Sequence, residues 1–307
     1  MALNRARGAL MGQFVGDALG SRYEFGSREE TIQKLDTDMA ETGELAMLGG
    51  GCFNLPPGTI TDDSEMALSL SGVLLAQNRF DQASTAVAYA RVLTTLLSNV
   101  AKWNDESQSN GCLMRISPLP VFYWRRPFEE WAPYIAEDVA LTHCHPVPAV
   151  LCEIYCRAIH LLINGESVEN VYRTLLESTN NNVARIHLEA AAVQRTPVRY
   201  GPSMEVSTDG DKAAMGYSGL AFQIAFHELL HARTFSEGLL NSIRVGGDTD
   251  TNGCITAALL GARFGELAIP ASWREAVQRA NLRMKHENGI STIGDMLQRL
   301  TTTAPPE

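Results

Sequence analysis

The chain has 307 residues, of which 45% are hydrophobic and 20% are charged, and this composition excludes disordered, collagen-like and low-complexity proteins. Its 25 Lys and Arg residues against 35 Asp and Glu residues give a formal net charge of −10, which makes nucleic acids and anionic membranes unfavourable partners. No apolar run approaches the ~18 residues of a membrane span, and no signal peptide is evident. The six cysteines include no C-x-x-C pair, which predicts reduced and mostly buried thiols. We therefore expect a soluble cytoplasmic protein that binds neither nucleic acid nor membrane.

Helical periodicity dominates the sequence, and no period-2 run of β-branched residues predicts a strand. In chain order, the predicted helices span residues 5–20, 63–76, 81–98, 130–140, 147–163, 167–177, 183–194, 211–233, 235–243, 253–265, 271–281 and 293–300. Two long stretches, 25–61 and 195–212, are predicted to be irregular, and loops of that length are often functional. Without linkers or internal repeats, the pattern favours one all-α domain over residues 1–300, followed by a flexible tail over 301–307.

The first predicted helix carries glycines at every fourth position. They are Gly8, Gly12, Gly16 and Gly20. Each costs about 0.5–1 kcal/mol of helix stability relative to alanine, so close backbone packing must offset the loss. This helix is therefore predicted to lie at the centre of the bundle. Segment 211–233 is apolar nearly all round, which predicts a second buried helix.

Two acidic clusters lie at the starts of predicted helices. They are Thr61-Asp62-Asp63-Ser64 and Gly246-Gly247-Asp248-Thr249-Asp250-Thr251-Asn252-Gly253. Helix capping is the simplest explanation for one such cluster, because Asp and Thr are common N-cap residues. Capping uses one side chain per helix, however, whereas the clusters supply four carboxylates. Buried together, these carboxylates would repel one another unless a cation lay between them.

Oxygen ligands without His or Cys favour Mg²⁺ or Mn²⁺ over Zn²⁺, and two carboxylate groups can hold two ions. The second cluster also matches the first positions of an EF-hand loop. Leu259 excludes that interpretation, because it stands where the loop needs a bidentate Glu.

A literal H-E-x-x-H motif, His227-Glu228-Leu229-Leu230-His231, raises the alternative of a zinc protease. The longer metzincin form would need Gly at Thr234 and His at Glu237, so histidines near a helix end are the simpler interpretation. Two further motifs each have both a structural and a ligand-binding interpretation. Asn110-Gly111 is either a plain turn or a phosphate-binding turn before a helix, and His143, in an H-x-H segment, is either a core or a polar lining residue.

Together these segments resemble the ADP-ribosylglycohydrolase family. The matching motifs are Gly16-Asp17-Ala18-Leu19-Gly20 with Glu24, Thr61-Asp62-Asp63-Ser64, Ser109-Asn110-Gly111 with Met114-Arg115, Thr142-His143, Gly216-Tyr217 and Gly246-Gly247-Asp248-Thr249-Asp250-Thr251. They follow one order along most of the chain, and their joint pattern is specific although each motif alone is weak. The resemblance implies a single compact orthogonal all-α domain with two Mg²⁺ or Mn²⁺ ions, which hydrolyses the bond between ADP-ribose and a modified protein side chain.

By position, the resemblance also implies roles for individual residues. The metal ligands would be Thr61, Asp62, Asp63, Asp248, Asp250 and Thr251. Catalytic roles would fall to Asp62, Asp63 and Glu24. Substrate would be bound by Ser109, Asn110, Gly111, Met114, His143, Tyr217 and Gly247, with the Asn110-Gly111 turn at the diphosphate and Tyr217 beside the adenine. A further bridging carboxylate has only Asp105 and Glu106 as candidates. Cys112-Leu113 replaces smaller residues, and Ser64 replaces the more common Thr.

The expected activity is release of ADP-ribose from an ADP-ribosylarginine residue of a protein substrate by a monomeric enzyme. Three alternatives remain: hydrolysis of a serine or another ADP-ribosyl linkage, non-catalytic binding of an ADP-ribosylating enzyme or its product, and zinc proteolysis through the H-E-x-x-H motif.

Overall fold

The computed structural model describes residues 1–92, 106–196, 199–200, 204–205, 215–281 and 292–305. Fifteen α-helices form this part of the chain: α1 (Ala2–Gly20), α2 (Arg28–Thr42), α3 (Asp62–Gln77), α4 (Gln82–Val92), α5 (Pro118–Phe122), α6 (Phe128–Trp131), α7 (Pro133–Val139), α8 (Pro146–Ile163), α9 (Val168–Ser178), α10 (Asn182–Ala191), α11 (Ser218–His231), α12 (Phe235–Ile243), α13 (Thr249–Phe264), α14 (Ala271–Ala280) and α15 (Ile293–Thr302). Single 3₁₀ turns occur at Asn110–Cys112 and Glu266–Ala268. The described strands are the two-residue β1 (Arg199–Tyr200) and β2 (Met204–Glu205), which pair antiparallel. The predicted all-α class is confirmed.

The glycine helix α1 packs backbone to backbone against α13. A Cβ atom added to Gly8, Gly12, Gly16 or Gly20 would lie closer than 3.0 Å to main-chain atoms of α13 or of the residues directly after it. The contacts pair Gly8 with Gly261 and Gly20 with Thr249, so the two helices run antiparallel. The predicted central helix is confirmed, and its carboxyl end meets the amino end of α13.

The second predicted buried helix is α11, which begins at Ser218; residues 211–214 of that prediction lie outside the described part of the chain. Every side chain from 218 to 226 is buried, and α11 packs against α13. Gly219 leaves room for its neighbours, because an added Cβ would lie 2.4 Å from both His187 Nε2 and the Tyr217 ring. The three helices α1, α13 and α11 therefore form the centre of the core.

The prediction that 25–61 is irregular was wrong for α2. Ser27 and Glu30 form a capping box that starts this helix, and Gly43 ends it in the left-handed conformation at φ 75°. Only Thr31, Leu35 and Asp38 are buried, so the apolar stripe is too sparse for periodicity to detect. The sequence signal for this helix is therefore its capping residues rather than a hydrophobic face.

Other boundaries also differ from the predictions. The helix predicted over 130–140 is divided at Pro133 into α6 and α7, since proline cannot donate the helical hydrogen bond. Residues 93–98 of the helix predicted over 81–98 lie outside the described part. The tail begins later than 301, because α15 continues to Thr302 and buries Thr301, whose carbonyl accepts a 3.3 Å hydrogen bond from Trp124 Nε1.

Helix α8 has the length and hydropathy of a membrane-crossing helix, although the apolar runs of the sequence predict none. The protein itself buries 61% of this 18-residue segment, and core helices of soluble proteins pass the same test. It packs against α13, α7, α9 and α5. We interpret α8 as a core helix.

The close packing of the α1 glycines against α13 predicts a specific loss of stability. Gly12→Ala should lower the free energy of unfolding by about 3 kcal/mol, because the new methyl group would clash with rigid backbone rather than with a movable side chain. Gly294→Ala is the matched control, since its Cβ would meet only Thr292 Oγ1, at 3.8 Å. Urea denaturation of both variants measures the difference, and equal stability of the two would refute the packing described for α1 and α13.

Candidate active site

Three helix ends meet at one place: the carboxyl end of α1 and the amino ends of α3 and α13. Asp17, near the end of α1, accepts hydrogen bonds from the Thr61 N–H at 3.0 Å, the Thr61 hydroxyl at 2.8 Å and the Ser64 N–H at 3.1 Å. It therefore caps α3 from a neighbouring helix. The N-cap residues themselves, Thr61 of α3 and Asp248 of α13, make no side-chain capping bond. Capping of their own helices does not explain the two acidic clusters.

The second cluster meets Glu24, which lies just after α1. Carboxylate oxygens of Glu24, Asp248 and Asp250 lie within 4.8 Å of one another. Burial, with a smaller contribution from the charge of Asp248, raises the pKa of Glu24 to about 7. Burial and the charge of Asp63 raise the pKa of Asp250 well above its usual range. These acids repel one another strongly when ionised, which favours a bound cation.

Asp63 of the first cluster faces the same place. It is buried, and burial together with the charges of Asp17, Asp248 and Asp62 raises its pKa well above the ordinary value. Its Oδ2 accepts a 3.2 Å hydrogen bond from the Thr61 hydroxyl, whereas its buried Oδ1 has no hydrogen-bond partner in the described part of the chain. A buried carboxylate oxygen without a hydrogen-bond donor fits a site that receives a metal ion.

The predicted ligands are thus brought to one place. They are Thr61, Asp62 and Asp63 at the start of α3 and Asp248, Asp250 and Thr251 at the start of α13. Every side-chain donor is an oxygen, which is the chemistry that Mg²⁺ and Mn²⁺ prefer. The donor set and the unpartnered Asp63 Oδ1 fit a metal centre, while the individual ligand roles stay predictions. Of the two candidates for a further carboxylate, Glu106 is exposed and Asp105 lies outside the described residues.

The Asn110-Gly111 turn is attached directly to the acidic cluster. Asn110 Nδ2 donates a 2.6 Å hydrogen bond to Asp248 Oδ2. The Asn110 N–H donates to the Gly216 carbonyl at 2.8 Å, and the Ser218 N–H donates to the Gln108 carbonyl at 2.9 Å. The turn is therefore fixed between the cluster and the start of α11, as a wall of one shared site.

His143 and Tyr217 line this wall. His143 Nε2 lies 2.7 Å from Ser109 Oγ, and its Nδ1 lies 2.8 Å from Thr142 Oγ1. Burial lowers the pKa of His143 to about 4, with a further contribution from the Arg115 charge, so the imidazole is neutral at physiological pH. Tyr217 pairs with Ser109 through its backbone, and its hydroxyl lies 3.1 Å from His187 Nε2. His143 is buried and hydrogen-bonded beside the turn, and its substrate contact, like the adenine contact of Tyr217, stays a prediction.

Two predicted substrate-binding residues have other partners. The Gly247 N–H donates to the Gly26 carbonyl and its own carbonyl accepts from the Phe25 N–H, both at 2.8 Å. Met114 lies in the hydrophobic core, and its carbonyl accepts a 2.8 Å hydrogen bond from Gln13 Nε2. The backbone N–H and carbonyl of Gly247 are therefore bonded within the protein, and the substrate contacts of Gly247 and Met114 stay predictions.

Sequence reasoning missed a buried ion pair that supports the turn. Arg115 is 1% exposed and Asp138 is fully buried, and Arg115 Nε lies 3.1 Å from Asp138 Oδ2. Arg115 Nη1 donates to the Gly111 carbonyl at 3.2 Å, while the Tyr89 hydroxyl donates to Asp138 Oδ1 at 2.6 Å. A single arginine in the apolar run around residue 115 was the available signal.

The side chains of the H-E-x-x-H motif contact the end of α10 and Arg195. His227 Nδ1 and His231 Nε2 donate to the carbonyls of Ala191 and Ala192, at the end of α10, at 2.8 and 2.9 Å. Glu228 is buried and pairs with Arg195 at 2.5 Å. The motif joins α11 to α10, and among the described residues no group of three candidate ligands includes these histidines, so the structure gives the zinc-protease alternative no support.

Comparisons with known proteins agree with this geometry. A model of the ADP-ribosylglycohydrolase family matches residues 1–304. The ADP-ribosyl-[dinitrogen reductase] glycohydrolase of Rhodospirillum rubrum is 28% identical and aligns with 97% of this chain and 96% of its own. The ADP-ribosylarginine hydrolase Tri1 of Pseudomonas putida is 24% identical, over 90% of this chain and 75% of its own. A solved ADP-ribosylglycohydrolase-related protein complex superposes with a TM-score of 0.75 at 25% identity, over 98% of this chain and 96% of that one.

The repulsion within the cluster predicts an unusual stability effect. In EDTA at pH 8, Asp250→Asn should raise the Tm by roughly 2–4 °C, equivalent to ~1 kcal/mol, because it removes a buried charge that burial and Asp63 disfavour. The gain should shrink as the pH falls toward the raised pKa, because the protonated Asp250 resembles Asn. With excess Mg²⁺ the difference should change sign.

Calorimetry at pH 8 and pH 6 measures this effect, with Asp36→Asn as the control because Asp36 is exposed on α2. If Asp250→Asn lowered the Tm relative to wild type in EDTA as much as it does in Mg²⁺, the proposed repulsion among the carboxylates would be contradicted.

Proposed function

The chain belongs to the ADP-ribosylglycohydrolase family, and on that premise we propose that it is a metal-dependent hydrolase that releases ADP-ribose from ADP-ribosylarginine residues of a protein substrate. The observation that carries the proposal is the carboxylate cluster where Glu24 meets the amino ends of α3 and α13. Asp63 and Asp250 of this cluster are buried, and Asp63 Oδ1 has no hydrogen-bond partner among the described residues. Family membership supports the reaction class, and the cluster supports dependence on a divalent metal.

Two observations favour arginine as the modified residue. A homologue with the name ADP-ribosylarginine hydrolase aligns with 90% of this chain. The site is also rich in carboxylates, and a guanidinium cation is attracted by such groups. A serine linkage is the second candidate, because the Glu24 carboxyl, with a pKa of about 7, can donate a proton to a departing alkoxide.

The proposed metal centre would hold two Mg²⁺ or Mn²⁺ ions on six residues: Thr61, Asp62, Asp63, Asp248, Asp250 and Thr251. Such ions polarise water and substrate oxygens as Lewis acids. Side chains of the protein would carry out the proton transfer and the charge stabilisation. Asp62 or Asp63 accepts the proton of the attacking water, and the surrounding carboxylates stabilise the positive charge that develops on the ribose as the bond to the side chain breaks.

The walls of the site would orient the substrate. The Asn110-Gly111 turn would receive the diphosphate, and its link to Asp248 keeps the turn and the cluster at a fixed separation. Neutral His143 would hold Ser109 in place without adding charge, because its pKa of about 4 keeps it unprotonated at neutral pH. Glu24 lies beside Asp248 and Asp250, where it can exchange a proton with the departing side chain.

Release of ADP-ribose tests the proposal directly. The assay compares an arginine-ADP-ribosylated protein with a serine-ADP-ribosylated peptide, each with Mg²⁺, Mn²⁺ or EDTA. We expect metal-dependent release from the arginine substrate, and we expect Asp63→Asn to reduce it by about 10²–10⁴-fold. Asp36→Asn, on exposed α2, should retain full activity.

Other outcomes would reassign the protein. Release from the serine peptide alone would assign the second linkage. Binding of ADP-ribose without release from either substrate would favour the non-catalytic binding protein, and full activity of Asp63→Asn or of the wild type in EDTA would refute the metal-dependent mechanism.

A further inference from the structure

A chain of buried polar side chains leads from the residues after α10 to Tyr217, the N-cap residue of α11. Gln223 Nε2 donates to the Gln194 carbonyl at 3.1 Å, and Gln223 Oε1 lies 3.0 Å from His187 Nδ1. His187 Nε2 in turn lies 3.1 Å from the Tyr217 hydroxyl. The side chains of His187, Tyr217 and Gln223 are all buried, so they satisfy one another rather than bonding to solvent.

The first bond of this chain fixes the direction of the others. Because a carbonyl cannot donate, the Gln223 amide nitrogen faces Gln194 and the amide oxygen faces His187, which therefore carries its proton on Nδ1. Burial lowers the pKa of His187 below its usual value, so the imidazole is neutral at physiological pH and its Nε2 is an acceptor. The Tyr217 hydroxyl thus donates to His187 Nε2, and this bond holds the phenol ring in one orientation.

Gly219, in the first turn of α11, makes room for the bond between His187 and Tyr217. A Cβ atom added at this position would lie closer than 3.0 Å to both His187 Nε2 and the Tyr217 ring. The two ring centroids are 5.6 Å apart, with an interplanar angle of 58°. A larger residue at 219 would occupy the place where the imidazole meets the phenol. The sequence of α11 therefore admits this contact at the cost of a glycine within the helix.

Tyr217 connects the buried chain to the wall of the candidate active site. Its backbone pairs antiparallel with that of Ser109. The next residue, Asn110, donates to Asp248 Oδ2 at 2.6 Å. A continuous series of contacts thus leads from His187 through Tyr217 to the Asn110-Gly111 turn and the carboxylate cluster. The described bonds of the His187 side chain go to Gln223 and Tyr217, so its effect on the site passes through Tyr217.

We propose that His187 is a positioning residue that holds Tyr217, and through it the Asn110-Gly111 turn, in the geometry that binds ADP-ribose. The inference rests on the proposed function, under which this turn receives the diphosphate, and deepens it by naming what fixes the wall. A wall that is already rigid loses little conformational freedom when the ligand binds, so the bond to His187 favours affinity. The carboxylate cluster has a separate support in Asp17, so the metal centre and the chemical step should not depend on His187.

Binding of ADP-ribose, measured by calorimetry in Mg²⁺, tests the positioning role. Tyr217→Phe deletes the hydroxyl that donates to His187, and His187→Leu deletes the acceptor. Each should raise the Kd of ADP-ribose and the KM of an ADP-ribosylarginine substrate by about 3- to 10-fold, the effect of one lost hydrogen bond. The double variant should bind no more weakly than either single variant, since both changes remove the same bond. The value of kcat and the number of bound Mn²⁺ ions should stay at the wild-type level.

Tyr172→Phe is the matched control for Tyr217→Phe. The Tyr172 hydroxyl donates to the Leu188 carbonyl at 3.0 Å, so this variant also deletes one phenol bond to α10, at the residue after His187. It should lose about as much stability as Tyr217→Phe and none of the affinity for ADP-ribose. A second readout needs no ligand: nitrogen NMR of the imidazoles should show His187 protonated on Nδ1, and Gln223→Leu should abolish that preference.

The outcomes separate this inference from the proposed function. If the wild type binds ADP-ribose but releases none from a modified protein, the proposed hydrolysis fails, and the expected pattern of Kd values would still support the positioning role. Unchanged Kd in both Tyr217→Phe and His187→Leu, an equal loss in Tyr172→Phe, additive losses in the double variant, or a His187 protonated on Nε2 would overturn it. Absence of ADP-ribose binding by the wild type would overturn it as well.

Discussion

Backbone contact between α1 and α13 is the constraint on which the rest of the structure depends. Without side chains at Gly8, Gly12, Gly16 and Gly20, the two helices approach closely enough for their ends to be fixed relative to each other. The contact brings Asp17, at the end of α1, between the starts of α3 and α13. Asp17 then caps α3 across the helix boundary, so one carboxylate orients the Thr61-Asp62-Asp63 segment toward Asp248 and Asp250. The packing of α1 against α13 thereby sets the positions of the carboxylates that the proposed metal centre would use.

This arrangement is electrostatically unfavourable, because several carboxylates are buried close together. Burial raises the pKa of Asp17 to about 6 and holds those of Asp63 and Asp250 well above the ordinary range, so the isolated chain resists ionisation at its own site. The amino ends of α3 and α13 offset part of the repulsion, because helix dipoles favour negative charge there. A divalent cation would offset the rest, and its binding energy would then contribute to the stability of the fold.

The sequence predicted the parts of the fold and site that depend on local pattern. The glycine spacing located the central helix, and the surplus of carboxylates at two helix starts located the cluster. Helix α2 was not predicted, because only three of its residues are buried and they form no clear hydrophobic periodicity. Its capping box could have been recognised in the sequence. The capping role of Asp17 and the support that Arg115 and Asp138 give to Gly111 were not predictable, since both join segments far apart in sequence. The H-E-x-x-H motif shows the converse: its spacing matches a metalloprotease pattern, but its imidazoles bond to the end of α10 and Glu228 pairs with Arg195.

Metal binding by the purified protein tests the central claim, that two helix starts brought together by the α1–α13 contact form a divalent-cation centre. Titration of metal-free protein with Mn²⁺, followed by electron paramagnetic resonance of the free ion, counts the sites without requiring any substrate. We expect two bound ions per chain in the wild type and weakened or reduced binding in Asp63→Asn, with unchanged helical content by circular dichroism. No Mn²⁺ binding by the wild type, or full binding by Asp63→Asn, would contradict it.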